Sequence, residues 1–421
     1  MWGDHLAALR AVAESLGLAP RPVDFLEVTA EDLYALQATH LPGMYHHWSF
    51  GRNYEVERAR HDRGRGTLYE LVVNLDPARA YLLDQNRDVE QLFVAAHVLG
   101  HVDLFGRNCF SRTQRLDMAR VLAAACERFS EYERQHGEAA VEQVLDAAHM
   151  VMWHASPVAR AEPRAPGDLR PDPYRAVFPE ARTATRITPA ERYREDRRRY
   201  QRGLGEGDLL RFLVRQAPLE PWQADVLGVV REVALYLRPQ ARVKILHEGW
   251  ASFWHLRILR AWGATGEAPV QDARLHSGVV GDPRQGANPY WVGLTILEYL
   301  EACGTDVFQL AATASDRSLL EHIDADMVAA SPELRAMAAR LERDPDPAGR
   351  PGWERLRDGW IAALPQLPEV EVAVEAWDTR HLVLRAPVTV DEGYARPVLD
   401  ALSRLWGGEA SLVTPSQEIR R

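Results

Sequence analysis

Lysine is nearly missing from this chain: Lys244 is the only one in 421 residues, and the remaining basic side chains are arginines. Asp and Glu number 60 against 50 for Lys and Arg, a net charge of -10 with histidine neutral. That balance argues against a protein that coats nucleic acid and against a polybasic membrane binder. Cysteine is scarce as well. Cys109, Cys126 and Cys303 are odd in number and far apart, and no CxxC occurs. A disulfide framework and a cysteine-based zinc site are therefore not indicated, and a reducing compartment fits. No apolar run approaches the ~18–20 residues of a membrane span. The opening MWGDHLAALRAVAESLG carries Asp4 and Glu14 and reads as an amphipathic helix, not a signal peptide. These absences set the expectation of a soluble cytoplasmic protein with no nucleic-acid partner and no membrane insertion. There is also no P-loop, no Rossmann fingerprint and no GxSxG, and GLGEG at 203–207 lacks the apolar helix that a phosphate loop needs.

What is present is ordinary globular composition, 46% apolar and 26% charged. At ~150 residues per domain the length predicts two to three domains. Residues 1–20 and 30–40 read as helices, the second opening at Thr29 or Glu31. Residues 41–66 are aromatic, basic and punctuated by glycine, which predicts a structured loop or a short strand pair. TLYELVVNLDP alternates like a strand at about 67–76, and ARAYLLDQN and DVEQLFVAAHVLGHVDLF read as helices. Further helices follow at about 113–135 and 137–153. Residues 155–207, rich in proline and then arginine, read as an irregular linker or surface excursion. Helical periodicity returns from Asp208, through HEGWASFWHLRILRAW and NPYWVGLTILEYLEACG, with Asn288 as N-cap and Pro289 at the first helical position. Two more short helices are predicted within 315–344. The expected fold is thus a mainly α-helical N-terminal domain, 1–345, and a small α+β C-terminal domain, 346–421, built β-β-α-β.

Chemistry is suggested in two places. His97 and His101, at i and i+4, lie about 40° apart on one helix face. That is the spacing of the HExxH metal helix, with Val98 where the base would be. The second place is His247-Glu248-Gly249-Trp250-Ala251 with His255 beyond. Glu248 and His255 share a face but stand about 10 Å apart along the axis, too far for backbone placement alone to bring both to one ion. An ionisable pair among Trp250, Phe253 and Trp254 demands a partner, since unpaired buried charge is costly. Together the two places resemble gluzincin-type metalloenzymes, in which two histidines and a glutamate hold Zn2+. The metal set expected is His97, His101, Glu248 and His255, with iron or manganese as alternatives to zinc. With Val98 in place of the base, proton transfer falls to Asp103, Glu232 or His255; Asp103 is alternatively a residue that orients a histidine. His46, His47, Arg52 and Tyr290 are the candidates for substrate contact, and Tyr54, His276 and Asn288 are further polar residues in apolar settings. Asn108 reads as a helix cap.

Several long stretches, in order, carry a family resemblance: YHHWSFGRNYE, LYELVVNLDPARAYL, AAHVLGHVDLFGRNCF, DLLRFLVRQAPLEPWQADVLGVVREVALYLRPQ, KILHEGWASFWH and NPYWVGLTILEYLE. With DTRHLVLRAPV and LSRLWGG near the end, they resemble the SpoVR family (stage V sporulation protein R). The family's histidine pair falls on His97 and His101 and its Asn-Glu-Gly-Trp-Ala on 247–251, with His255 also matching. His247 stands where the family usually has Asn, and 155–207 matches poorly. The resemblance implies a link to the spore cortex, a peptidoglycan layer, and no settled activity; the family also occurs in bacteria that do not sporulate.

Three readings follow. The first is a metal-dependent hydrolase of amide or peptide bonds, with a small-molecule, peptide or peptidoglycan-fragment substrate. The second is a non-catalytic scaffold or regulator with a structural His/Glu cluster, meeting a protein partner through the C-terminal domain. The third is an iron or manganese protein, which more than one carboxylate at the ion would favour.

Overall fold

Two stretches of this sequence are apolar on every side and so must lie inside, not on a surface. In the computed structural model they are α4 (Asp88–Arg107) and α9 (Lys244–Trp262), each buried through most of its length. The structure describes residues 2–62, 70–156, 208–263, 268–281, 288–344, 346–364, 373–377, 380–386 and 389–421. Its contacts gather into two compact units, Met1–Cys126 with Tyr236–Leu367, and Glu127–Leu235 with Pro368–Arg421.

The first unit opens with α1 (Leu6–Ser15), β1 (Val23–Val28), α2 (Ala30–Thr39) and α3 (Trp48–Asp62). Strands β2 (Glu70–Val73) and β3 (Ala78–Leu83) lead into α4. The sheet order is β1-β3-β2, with β1 parallel and β2 antiparallel to β3, so that Glu70 stands opposite Leu82. α2 opens as expected: the Thr29 hydroxyl accepts from the Asp32 N–H at 3.2 Å. Two local expectations are corrected. Residues 78–83 form a strand, not a helix. Ala, Arg and Leu favour helix weakly, but a central position between two partners overrides propensity. Residues 48–62 form a helix, not a loop or strand pair; Gly51 sits in open space within it, and Arg58 pairs with Glu55 across one turn at 3.6 Å.

Helix α5 (Met118–His136) and α6 (Glu138–Val151) follow, then α7 (Leu209–Gln216) and α8 (Pro221–Arg242). The excursion expected at 155–207 lies, from 157 on, outside the described residues. After α9 come α10 (Ala268–Val280), α11 (Pro289–Ala302), α12 (Val307–Thr313), α13 (Asp316–Leu320), α14 (Ala325–Ala330), α15 (Pro332–Leu341) and α16 (Gly352–Ala363). Residues 315–344 thus hold three short helices where two were expected, because Asp324 and Ser331 each start a new one by capping it. Asn288 caps α11 by accepting from the Tyr290 N–H at 3.1 Å.

Close approach of α9 to its neighbours depends on glycine. A Cβ on Gly249 would fall 2.5 Å from the Gly293 backbone in α11, and one on Gly100 in α4 would fall 2.8 Å from the Ala251 Cα. The N-terminus of α9 is held by Asp316, whose two carboxylate oxygens accept from the Ile245 and Leu246 N–H groups, each at 2.9 Å. A residue remote in sequence therefore caps it.

The second unit contains a four-stranded sheet in the order β4-β5-β6-β7, formed by Ala373–Trp377, His381–Arg385, Glu409–Val413 and Glu418–Arg420. β5 and β6 run parallel, joined through α17 (Glu392–Trp406), and the other pairs are antiparallel. The expected β-β-α-β order is present, with β7 added as an edge. The phenyl ring of Phe212 packs edge-on to Trp377 at 4.9 Å and stacks on Trp406 at 5.8 Å, tying α7 to this sheet. α16 packs on α15, and α17 packs on α6. No helix among the described residues is long and apolar enough to cross a membrane.

Candidate metal centre

His97 and His101 project from the middle of α4, 2% and 5% exposed. They face Glu70 from β2 and Glu248 from the first turns of α9. One ligand atom each from Glu70, His97 and His101 can be chosen so that all lie within 4.8 Å of one another. The Glu248 Oε2 atom stands 3.4 Å from the His101 Nε2 and 3.7 Å from the His97 Nε2. The Glu70 Oε1 atom stands 3.8 Å from the same His97 Nε2.

These distances are too long for good hydrogen bonds and right for atoms that share a cation, whose ligands stand about 2.0–2.2 Å from the ion. Two atoms make the point sharply. His97 Nε2 and Glu248 Oε2 are buried and have no hydrogen-bond partner. Buried polar atoms are nearly always paired, so a facing pair of orphans calls for something between them.

Electrostatics separate the two carboxylates. Burial pushes Glu70 up to about 7, a rise that His101 opposes and Glu248 reinforces. Burial acts on Glu248 in the same direction, but the His101 and His97 rings facing it outweigh that and hold it well below the usual carboxylate range. Tyr290 closes one side. Its ring stacks on His97 at 5.9 Å, and burial first, then the charges of Glu248 and Glu70 and a hydrogen bond to Glu248, hold its hydroxyl well above 10.

Behind the ligand atoms lies a layer of further imidazoles. The His97 Nδ1 is 2.9 Å from the His255 Nδ1, and the His255 Nε2 is 2.7 Å from the His276 Nδ1 of α10. His101 Nδ1 meets His247 Nδ1 at 2.5 Å. His247 and His255 are kept neutral by burial, which lowers both well below 6.5.

The structure therefore brings together His97, His101, Glu248 and Tyr290 from the expected set. His255 joins them differently from the ligand and proton-transfer roles expected of it, since both its ring nitrogens are engaged by His97 and His276. Asp103 is not part of the cluster. Its Oδ1 accepts from the Ala19 N–H and Arg107, its Oδ2 from Arg107 and the Trp250 Nε1 at 3.0 Å, so these contacts tie α4 and α9 to the segment between α1 and β1. Asp103→Asn is expected to lower stability by about 2–4 kcal/mol, as breaking a buried ion pair does, while the folded fraction keeps its metal stoichiometry. Urea denaturation beside metal analysis checks both halves. Glu232 belongs to the second unit, half-exposed, with Arg231 at 3.4 Å. At the start of α3, His46 is exposed, His47 Nδ1 meets the Ser49 hydroxyl at 2.6 Å, and Arg52 lies over the Trp48 ring at 5.5 Å. Asn108 ends α4 as expected, its amide donating to the Ala311 and Ala314 carbonyls.

Glu70 escaped sequence reasoning. The available signal was a lone acidic residue in an otherwise apolar run, TLYELVV, where an unpaired charge needs a reason.

Comparison with known proteins adds the following. The family model described as "SpoVR like protein" matches residues 4–328, a range that contains every residue of the cluster. The uncharacterized protein YcgB of Escherichia coli (strain K12) is 28% identical over 324 residues, covering 70% of this chain and 62% of that protein. The chain thus spans less than two thirds of that relative's length. No solved structure matches.

Proposed function

This chain belongs to the SpoVR family, and from its His/Glu cluster we propose that it is a metal-dependent enzyme whose His97, His101 and Glu248 hold one divalent cation. The observation that carries the reading is the facing pair of buried, unpartnered atoms, His97 Nε2 and Glu248 Oε2, 3.7 Å apart. Two imidazoles and one carboxylate suit zinc, as in gluzincin-type enzymes, and the reaction that fits is hydrolysis of an amide or peptide bond. A cation there would polarise the carbonyl and acidify water. Glu70, reaching the cluster from β2, supplies the carboxylate that Val98 does not. It takes a proton from water as the water oxygen bonds to the carbonyl carbon, and returns a proton to the departing nitrogen as the C–N bond breaks. A peptidoglycan-fragment substrate rests on the family association alone, the cytoplasmic setting on the scarce cysteines, and a protein partner at the C-terminal strand module belongs to the scaffold reading.

A second reading is favoured by one observation, the second carboxylate. If Glu70 ligates, the set becomes two imidazoles and two carboxylates, which suits iron or manganese.

Metal analysis of the purified chain beside His97→Ala/His101→Ala tests the proposal. About one zinc per chain, lost in the variant, is expected. Iron or manganese at that ratio would favour the second reading. No metal after reconstitution with zinc, iron or manganese would overturn both and leave the cluster structural, as in a scaffold or regulator.

A further inference from the structure

We infer that His255 and His276 are positioning residues for His97: the three rings share one proton polarity, and that polarity decides which nitrogen His97 turns toward the carboxylates. The inference rests on the metal reading above. An imidazole that ligates through Nε2 must carry its proton on Nδ1, and that N–H needs an acceptor. The usual acceptor is a carboxylate or a carbonyl. Here it is a second imidazole, His255 Nδ1 at 2.9 Å, in a wholly buried contact.

A hydrogen bond between two neutral imidazoles holds one proton. Two protons would clash and none would leave lone pairs facing each other. Each neutral ring also carries a single proton in all. The choice made at His97 is therefore passed along. If His97 donates from Nδ1, His255 accepts at Nδ1 and must carry its proton on Nε2, which donates to His276 Nδ1 at 2.7 Å. His276 then carries its own proton on Nε2. Reversal moves all three protons together and places an N–H on His97 Nε2, where the carboxylate oxygens stand at 3.7 and 3.8 Å and no hydrogen bond forms. The first polarity leaves a bare Nε2 facing Glu248 and Glu70, and a cation selects it.

His101 offers an internal contrast. Its Nδ1 meets His247 Nδ1, but the far nitrogen of His247 is buried without a partner. That arm stops after one ring, whereas the His97 arm runs on to His276, which is half-buried. His97 is accordingly the ligand whose orientation is set by the longer chain.

The test uses the full chain labelled with nitrogen-15, metal-free and then loaded with zinc alone. Long-range proton–nitrogen spectra report which nitrogen of each ring is protonated. In the zinc form His97 is expected protonated at Nδ1, and His255 and His276 at Nε2. In the metal-free form all three rings are expected to share one polarity. His255→Leu removes the acceptor and is expected to weaken zinc binding about 10–100-fold, while His255→Asn, whose amide oxygen replaces Nδ1, restores it to within about threefold. His276→Ala, at the half-buried end, serves if the His255 variants do not fold; it is expected to leave His97 in a mixture of both tautomers without metal. Wild-type zinc affinity in His255→Leu, a single His97 tautomer in metal-free His276→Ala, or His97 protonated at Nε2 in the zinc form would overturn the inference and leave the metal reading standing. Failure of the wild type to bind zinc would remove the metal reading, and the metal-free tautomers would then decide this one: a shared polarity upholds it, a mixed one sinks it.

Discussion

Gly249→Ala is expected to lower the stability of the chain by about 3 kcal/mol, the upper range of overpacking a core. The added Cβ would lie 2.5 Å from both the Gly293 Cα and carbonyl carbon and 2.9 Å from the Leu294 nitrogen. All three are backbone atoms, so no side chain can rotate away, and α9 and α11 must move apart. The reverse substitution meets the same wall: a Cβ on Gly293 would fall 2.3 Å from the Ile245 carbonyl oxygen. The sign is what makes the experiment sharp. Alanine in a helix is ordinarily better than glycine by roughly 1 kcal/mol. Gly228 in α8 has nothing within 4 Å of its added Cβ, so Gly228→Ala is expected to stabilise by about 0.5–1 kcal/mol. Urea denaturation of the two variants should therefore move in opposite directions. Gly249→Ala should also weaken metal binding in whatever folds, because Glu248 is its chain neighbour. Equal stability of Gly249→Ala and wild type would mean that the two helices do not cross at these glycines.

The same glycines show where sequence reasoning stopped. Spacing alone placed His97 and His101 on one helix face, and the short run His247–Ala251 marked Glu248, because i, i+4 geometry is local. Sequence reasoning counted His255 as a ligand although about 10 Å along the axis separates it from Glu248; in the structure His255 stands one ring behind the cluster, its Nδ1 against His97 Nδ1. Glu70 carried only the signal of a lone acid in an apolar run, and its approach to α4 depends on β2 pairing with β3, a long-range event. Strand β3 itself, with a helix-former sequence, is a strand only because it has β1 on one side and β2 on the other. Asp103 was singled out for its closeness in sequence to His101, but its distance of two residues turns it to another helix face, toward Arg107 and Trp250. Helix–helix glycine contacts, such as Gly249 on Gly293, carry no periodic signal at all.

The two carboxylates should separate on substitution. Glu248→Gln is expected to weaken metal binding by about 3–5 kcal/mol, roughly 10²–10⁴-fold, since it removes the one anionic group, among the described residues, that stands within 3.7 Å of both imidazole Nε2 atoms. Glu70→Gln is expected to retain the metal within about tenfold and to lose turnover about 10²–10⁴-fold, the usual contribution of a general base. The environments account for the difference. Glu248 is held well below the usual carboxylate range by the rings it faces, so it meets the cation as a fixed anion. Glu70, pushed up to about 7 by burial, is poised to take and give a proton near neutrality. Isothermal titration of zinc into the metal-free variants measures the first effect, and amide hydrolysis by the loaded variants the second. Removing metal with a chelator should also lower the melting temperature of the wild type and leave that of Glu248→Gln nearly unmoved, because only a species that binds the ion gains stability from it. A loss of metal from Glu70→Gln as large as that from Glu248→Gln would make Glu70 a ligand. The ion would then sit among two carboxylates and two imidazoles, with no base in reach, and the chemistry to look for would be that of iron or manganese instead of hydrolytic zinc.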